Sequence, residues 1–402
     1  MIVSKSRHWS RGAGLRAWIC GAMGLLSIAL TWALPGTALA YPQWQFSSGA
    51  ARCNQCHFAP GGGGLINGYG RDAVGEELSS RTGEGAFLHG KLPLPARAAL
   101  GGDLRLAALG HDTEEAEGAT FAAFPMQAEL SGRFSWPTGF SVGGSVGLRG
   151  RVRSNSSIVP RQNYQPMPGS RLISREHHLT FQPASVGGYL RAGRFFAPFG
   201  LRLSEHFTYV RRDLGFGSLQ ESYNLSAGWV ANAWELHVTG FLPDGLRHMG
   251  ATEKGVAALF EQQLPGGNGA LGLQVKLGYG PGMDRMIAGL TAKQYIEPVR
   301  TLLVGEANLV RQSFDVGGIA SRNQLVALAG LCLLPARGWM LTVLGERSQS
   351  DVDVADTATT ATSGILTWFP IPHLELQVLG RLQFPAGSPT AKTVLAQVHY
   401  FL

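Results

Sequence analysis

Polar and apolar residues alternate with a period of two from about residue 97 to the end of the chain. In the stretch TFAAFPMQAELSGRFSW (120–136), the even-numbered apolar residues are Phe124, Met126, Ala128, Leu130, Phe134 and Trp136. Alternation over roughly ten residues is typical of a tilted strand that crosses a bilayer, with one face in lipid and one in a polar lumen. The pattern repeats in about sixteen segments. We therefore predict an outer-membrane antiparallel β-barrel of that size over residues 96–402.

The connections between these segments alternate in length. Short turns such as WPTG (136–139) and PARG (335–338) follow even-numbered strands, and long polar loops (154–170, 197–219 and 243–252) follow odd-numbered ones. Aromatic residues cluster beside the short turns, as in the interfacial girdle of a membrane barrel. These features predict short periplasmic turns, long extracellular loops and both termini on the periplasmic side. The alternative is a soluble β-sandwich, although so many strands would usually split into separate domains.

The first forty residues are predicted to be a cleavable export signal. A basic region ends at Arg16, an apolar run follows, and Ala38 and Ala40 form a cleavage site before Tyr41. An uncleaved membrane anchor is the alternative. Four of the 34 Lys and Arg residues lie in this leader, so the remainder carries 30 basic against 27 acidic residues. This near-neutral balance gives no indication of nucleic-acid binding.

The stretch CNQCH places Cys53, Cys56 and His57 at the spacing of a c-type haem attachment site. Two thiols can add across the haem vinyl groups, and the adjacent histidine can bind the iron as proximal ligand. Free thiols, or a disulfide in the exported protein, are the alternatives. Cys332 lies in an apolar strand and is predicted to be a small buried hydrophobic residue.

Residues 41–95 form a segment too small for a large core of its own, which a covalent haem would supplement. The glycine run after His57 would let the chain approach the macrocycle closely. No Met or His lies between Phe58 and Leu88, so His89 is the nearest candidate for the distal iron ligand. Four histidines on the predicted lumen face remain alternatives: His178, His237, His373 and His399.

The order of these parts resembles the fused monohaem cytochrome c–porins of iron-oxidising bacteria. The resemblance rests on the export signal, on CNQCH followed by LINGYGRD, and on a porin-like barrel that contains RAGRFFAPFGLR (191–202). It implies one covalent haem c held by Cys53, Cys56 and His57. It also implies electron transfer across the outer membrane, from extracellular ferrous iron to periplasmic cytochromes or other carriers. Such a protein would act as an iron(II):cytochrome c oxidoreductase.

Two other functions remain open from the sequence. The barrel could be a transport porin whose haem segment serves as a plug or sensor, or a barrel with a non-functional CxxCH. Two acidic outer loops could gather ferrous ions, since carboxylates are hard ligands, but solvated charged loops are more common. Their acidic residues are Asp112, Glu114, Glu115, Glu117, Asp351, Asp353 and Asp356.

Overall fold

The computed structural model describes residues 44–47, 50, 52–113, 120–150, 172–218, 220–244, 252–315 and 320–402. The predicted export signal, residues 1–40, lies outside these ranges. Among the described residues no helix has the length and hydropathy needed to span a membrane.

Strands make up most of the described chain, and β4 and β5 lie end to end beside β3, so that they share one of sixteen positions in the sheet. The strands are β1 (Ala98–Thr113), β2 (Thr120–Ser135), β3 (Phe140–Arg149), β4 (Leu172–Ile173), β5 (His177–Phe181), β6 (Gly187–Phe195), β7 (Ser222–Val230), β8 (Trp234–Leu242), β9 (Lys254–Gln263), β10 (Gly269–Gly280), β11 (Met283–Ile296), β12 (Thr301–Phe314), β13 (Arg322–Leu333), β14 (Trp339–Gln349), β15 (Ala358–Ile371), β16 (Leu374–Pro385) and β17 (Ala391–Phe401).

The sheet is a closed barrel. Each strand pairs antiparallel with its neighbour in sequence, and β1 pairs with β17 from Asp103↔Phe401 to Thr113↔Ala391. Closure gives the first and the last described strand a common partner edge, so the sheet has no open end to expose to lipid. The predicted barrel of about sixteen strands is confirmed.

The two faces of the wall have the polarity expected of a membrane barrel. Many apolar strand residues point outward, and Leu290 near the middle of β11 is 58% exposed. Charged and polar residues such as Glu129, Lys293 and Ser226 are buried on the inner face. Trp339 and Trp368 stack at 5.1 Å between ring centroids beside the short PARG turn. The exterior is therefore an apolar surface suited to lipid contact, with aromatic residues at its short-turn rim.

The single continuous face predicted for residues 124–136 is wrong. The pairing of β1 with β2 shifts register between Arg105 and Leu106, opposite Pro125 and Gln127, so that Met126 is an extra residue. Phe121, 73% exposed, and Leu130, 63% exposed, therefore both point outward although one is odd and one even. A β-bulge exchanges the residues that point inward and outward on the two sides of the inserted residue. A pattern with a strict period of two does not reveal such a bulge.

The long connection predicted over residues 197–219 joins β6 to β7, but the prediction did not include its direction. This inner loop (residues 196–218 and 220–221), which includes helix α3 (Tyr209–Arg212), folds into the lumen. Carboxylate and amide groups of the wall hold its backbone: Leu201 N donates to Glu306 Oε2 (2.8 Å), Gly200 N to Gln274 Oε1 (2.6 Å) and Tyr209 N to Glu346 Oε2 (2.6 Å). Three apolar side chains of the loop, Leu201, Tyr209 and Leu214, are fully buried.

Replacing Leu290 with Arg is expected to destabilise the barrel by about 2–4 kcal/mol, because it places a charge near the middle of the apolar exterior. Val299→Arg is the matched control, since Val299 is an exposed aliphatic residue in the short turn after the same strand. At that position, near the membrane surface, the substitution should lower the free energy of unfolding by only about 0–1 kcal/mol. Urea unfolding in lipid vesicles measures both, and equal costs would contradict the assignment of the exterior to lipid.

Candidate functional site

The segment before β1 occupies the end of the barrel that carries the short turns. We call its described residues from Trp44 to Arg97 the plug. Its side chains and backbone bond to turns around the rim: Arg52 Nη1 donates to Ala231 O (2.8 Å), Asn54 Nδ2 to Ser185 O (2.7 Å), and Arg337 Nε to Ser79 O (2.7 Å). Lys293 Nζ on the lumen wall donates to Gln45 Oε1 (2.9 Å). The plug is thus fixed to several strands at once.

Cys53 and Cys56 form helix α1 (Cys53–Cys56), and His57 caps it by donating from its backbone N to Cys53 O (3.1 Å). The chain then reverses through the glycine run, and His57 pairs with Ile66 in an isolated bridge. Gly62 has φ +82°, and a Cβ there would overlap Cys53 Cβ and lie 3.1 Å from its Sγ. Glycine is required at this position by backbone conformation and by the space that the cysteine occupies.

Asn67 links the attachment motif to the next helix. Its amide group donates to Gln55 O (2.8 Å) and lies 3.3 Å from the carbonyls of Asn54 and His57. Its Oδ1 accepts from Gly70 N (3.0 Å) and so caps α2 (Gly68–Ala73). A Cβ on Gly70 would lie 2.5 Å from Cys56 O, so the two helices touch through a glycine. These contacts give the stretch LINGYGRD a structural role.

The three predicted attachment residues are brought together and buried. Cys53 and Cys56 are free thiols, 4% and 8% exposed. Burial raises the pKa of Cys53, and it raises the pKa of Cys56 to about 12. Burial also lowers the pKa of His57 to about 4, against the opposing effect of a hydrogen bond with the Gly64 backbone. At neutral pH both thiols are protonated and the imidazole is neutral, the form that binds a metal.

A cavity of about 360 Å³ lies between the plug, the inner loop and the lumen wall, and Cys53, Cys56 and His57 all line it. Its volume falls in the range of small-molecule and cofactor sites. Part of its lining is apolar, from Leu65, Ile66, Val74, Phe196, Phe199 and Phe369. Another part is charged, from Arg105, Arg175, Arg191, Arg202 and Arg211 with neighbouring carboxylates. Two thiols, a neutral imidazole, apolar walls and arginines fit a haem, which has an apolar macrocycle and two carboxylates.

His89 does not line this cavity. Its Nε2 lies 3.1 Å from Tyr400 Oη, and its ring packs edge-on against His373 at 4.7 Å. His399 and His206 do line it, but His399 is held between Glu375 (2.8 Å) and Asp103 (2.6 Å), while His206 Nδ1 lies 3.2 Å from Arg211 Nη2. The role predicted for His89 stays a prediction.

Met340 on β14 is a cavity residue that the sequence analysis missed. It is buried in a cluster with Trp44, Leu334 and Phe369. Its thioether is a potential iron ligand that needs no hydrogen-bond partner. The inward parity of residue 340 on its strand was the signal that could have identified it.

Four of the seven acidic residues of the predicted outer loops lie in the described part of the chain: Asp112, Asp351, Asp353 and Asp356. Glu114, Glu115 and Glu117 lie outside the described residues. Within the described part of the chain, no three His, Cys, Asp or Glu side chains are grouped so as to hold a metal ion. Cys332 is buried on the wall as predicted, with Thr342 Oγ1 at 3.4 Å from its Sγ.

No protein-family model matches the chain, and no curated protein matches it in sequence. Solved structures do match in fold. OprB of Pseudomonas putida aligns with a TM-score of 0.60 at 11% identity, over 76% of this chain and 94% of that one. The channel DcaP of Acinetobacter baumannii (TM-score 0.53, 13% identity) and an anion-selective porin from Comamonas acidovorans (0.54, 10%) align over 77% and 76% of this chain and 99% of each of theirs. The chain therefore has the fold of the porin-type outer-membrane barrels.

Asn67→Ala is expected to loosen the plug around Cys53 and Cys56, because it removes both a helix cap and the donor to the α1 carbonyls. Together the two losses are worth about 1–2 kcal/mol, so maleimide labelling of the two thiols in haem-free protein should speed up roughly tenfold. Asn67→Asp keeps the capping oxygen but loses the donor, and should label at an intermediate rate. All three proteins carry Cys332→Ala, so that Cys53 and Cys56 are the thiols labelled. Equal rates in all three proteins would contradict this role of Asn67.

Proposed function

We propose that this protein is an outer-membrane electron conduit that carries one covalent haem c inside its barrel, and that it transfers electrons from extracellular ferrous iron to periplasmic carriers. The supporting observation is that Cys53, Cys56 and His57 line one cavity within a membrane-type barrel. An electron cannot cross the apolar thickness of a bilayer unaided, so a redox group must be placed within it. A barrel with a lumen-bound plug provides that place.

The chain's own residues supply attachment, orientation and exclusion of water. Each of the Cys53 and Cys56 thiols would add as S–H across one vinyl double bond, the sulfur bonding to carbon and the proton going to the other vinyl carbon. His57 would offer a neutral ring nitrogen to the iron, and its hydrogen bond with the Gly64 backbone would fix the ring. The haem, when bound, supplies reversible one-electron transfer. Apolar residues of the plug and inner loop would keep the site dry and set its potential by burial.

The filled lumen favours a conduit over a solute channel. The inner loop packs a large apolar cluster against the wall, and the plug bonds to turns around the short-turn rim. An open porin keeps a water-filled channel instead. The transport alternative, a porin with a haem-bearing plug or sensor, therefore needs a displacement of the plug or inner loop.

Vesicles that contain the matured protein and enclose oxidised cytochrome c should reduce it when ferrous iron is added outside. Cys53→Ala/Cys56→Ala protein, which cannot attach haem, is the matched control and should show only the leak of empty vesicles. Swelling of the same vesicles in small sugars should be slow. Haem-bearing protein that swells vesicles like an open porin and passes no electrons would support the channel alternative and overturn the conduit.

The distal iron ligand is expected to be Met340, because Met340 lines the cavity and His89 does not. Met340→Ala should change the haem absorption spectrum and lower the midpoint potential, since a thioether ligand raises it. His89→Ala should leave the spectrum unchanged. The opposite result, a changed spectrum in His89→Ala alone, would establish His89 as the ligand.

A further inference from the structure

Five arginines line the cavity, and four of them have a carboxylate partner on the wall. Arg105 pairs with Asp103 (3.1 Å), Arg175 with Glu129 (2.9 Å), Arg191 with Glu176 (3.3 Å), and Arg202 with Glu235 (2.7 Å) and Glu261 (3.3 Å). Arg211 on helix α3 differs. No carboxylate among the described residues lies within ion-pair distance of it, although it lines the same cavity. Its Nε has no hydrogen-bond partner there, a feature that it shares with Arg105, Arg191 and Arg202.

No anion of the described chain is in direct contact with the Arg211 guanidinium. The side chain is only 9% exposed, its guanidinium lies 5.1 Å from the centroid of the Phe196 ring, and its Nη2 lies 3.2 Å from His206 Nδ1. Burial and the adjacent guanidinium hold the pKa of His206 well below its ordinary value, so His206 is a neutral acceptor. Glu205, Glu221 and Glu306 act on Arg211 only at longer range. Burial lowers the pKa of Arg211 to about 10, which still leaves it charged at neutral pH.

A buried guanidinium without an anion lowers the stability of the folded protein. Arginine is also the side chain that most often binds a carboxylate in proteins, through two parallel hydrogen bonds. We propose that Arg211 binds a carboxylate of the molecule that fills the cavity. This inference rests on the proposed function, under which that carboxylate is one of the two propionates of the haem. The inner loop would then take part in holding the cofactor as well as filling the lumen.

Arg211→Gln in the haem-loaded protein should lower the midpoint potential, because a positive charge beside the haem favours its reduced form. We expect about a tenfold change in the reduction equilibrium constant, equivalent to about 59 mV for one electron. The pH range over which the potential varies should also move upward, since the carboxylate without its cation takes up a proton more readily. Arg211→Lys should restore most of the potential.

Arg212→Gln is the matched control. Arg212 is the next residue of the same helix, pairs with Asp213 at 2.6 Å and does not line the cavity, so its loss should leave the potential and its pH profile unchanged. The inference is overturned if Arg211→Gln changes neither quantity or if both variants shift equally. It is also overturned if the wild-type potential depends on chloride and that dependence is lost in Arg211→Gln, because the anion would then be a mobile ion.

A measurement on haem-free protein tests the same residue independently. There Arg211→Met should raise the temperature of unfolding, because it removes an unpaired buried charge while keeping the volume of the side chain. In haem-loaded protein the same substitution should lower it. A lower unfolding temperature in both forms would show that Arg211 already has a partner in the chain, which overturns the inference. Matured wild-type protein without covalent haem would instead overturn the proposed function.

Discussion

The structure depends on one constraint: backbone groups in lipid must find their partners within the sheet, so the sheet must close. Closure of β1 on β17 joins the two ends of the sheet and creates a lumen surrounded by sixteen strand positions, which is wider than wall side chains alone can fill. The polar inner face of the wall then needs either water or more protein against it. In this chain the plug and the inner loop meet that need, and the cavity is the space that remains between them.

The same constraint explains how much of the fold is visible in the sequence. Lipid on one side and a polar lumen on the other force the period-two pattern, so strand number and facing could be predicted from residues alone. The bulge at Met126 was not predicted, because one inserted residue exchanges the inward and outward positions of the strand without changing its composition. The direction of the inner loop was not predicted, because loop length and polarity do not determine whether a loop folds inward. Its buried residues are explained only by distant wall partners such as Glu306 and Gln274.

Site residues could be predicted from the sequence where a chemical reaction requires a fixed spacing between them. Residues whose role depends on packing could not be predicted in this way. Cys53, Cys56 and His57 could be proposed from the sequence because haem attachment needs those side chains at that spacing, and the structure places all three on one cavity. Asn67 and Gly70 carry no such signature, since one acts through carbonyls of the preceding helix and the other through the absence of a side chain. Met340 lies nearly three hundred residues from the attachment motif along the chain, and only the closed barrel brings them to one cavity.

Charge pairing around the cavity has a consequence for any redox group held there. A group that gains or loses one electron in a poorly hydrated site responds to each nearby net charge, because the interior screens it weakly. Four of the five cavity-lining arginines are neutralised by wall carboxylates, so their fields largely cancel over the distance of an ion pair. Arg211, the cavity-lining arginine without an ion-pair partner among the described residues, comes from the inner loop. Under the proposed function, the wall would supply the paired arginines and Met340, and the inner loop would supply the arginine available to a carboxylate of the cofactor.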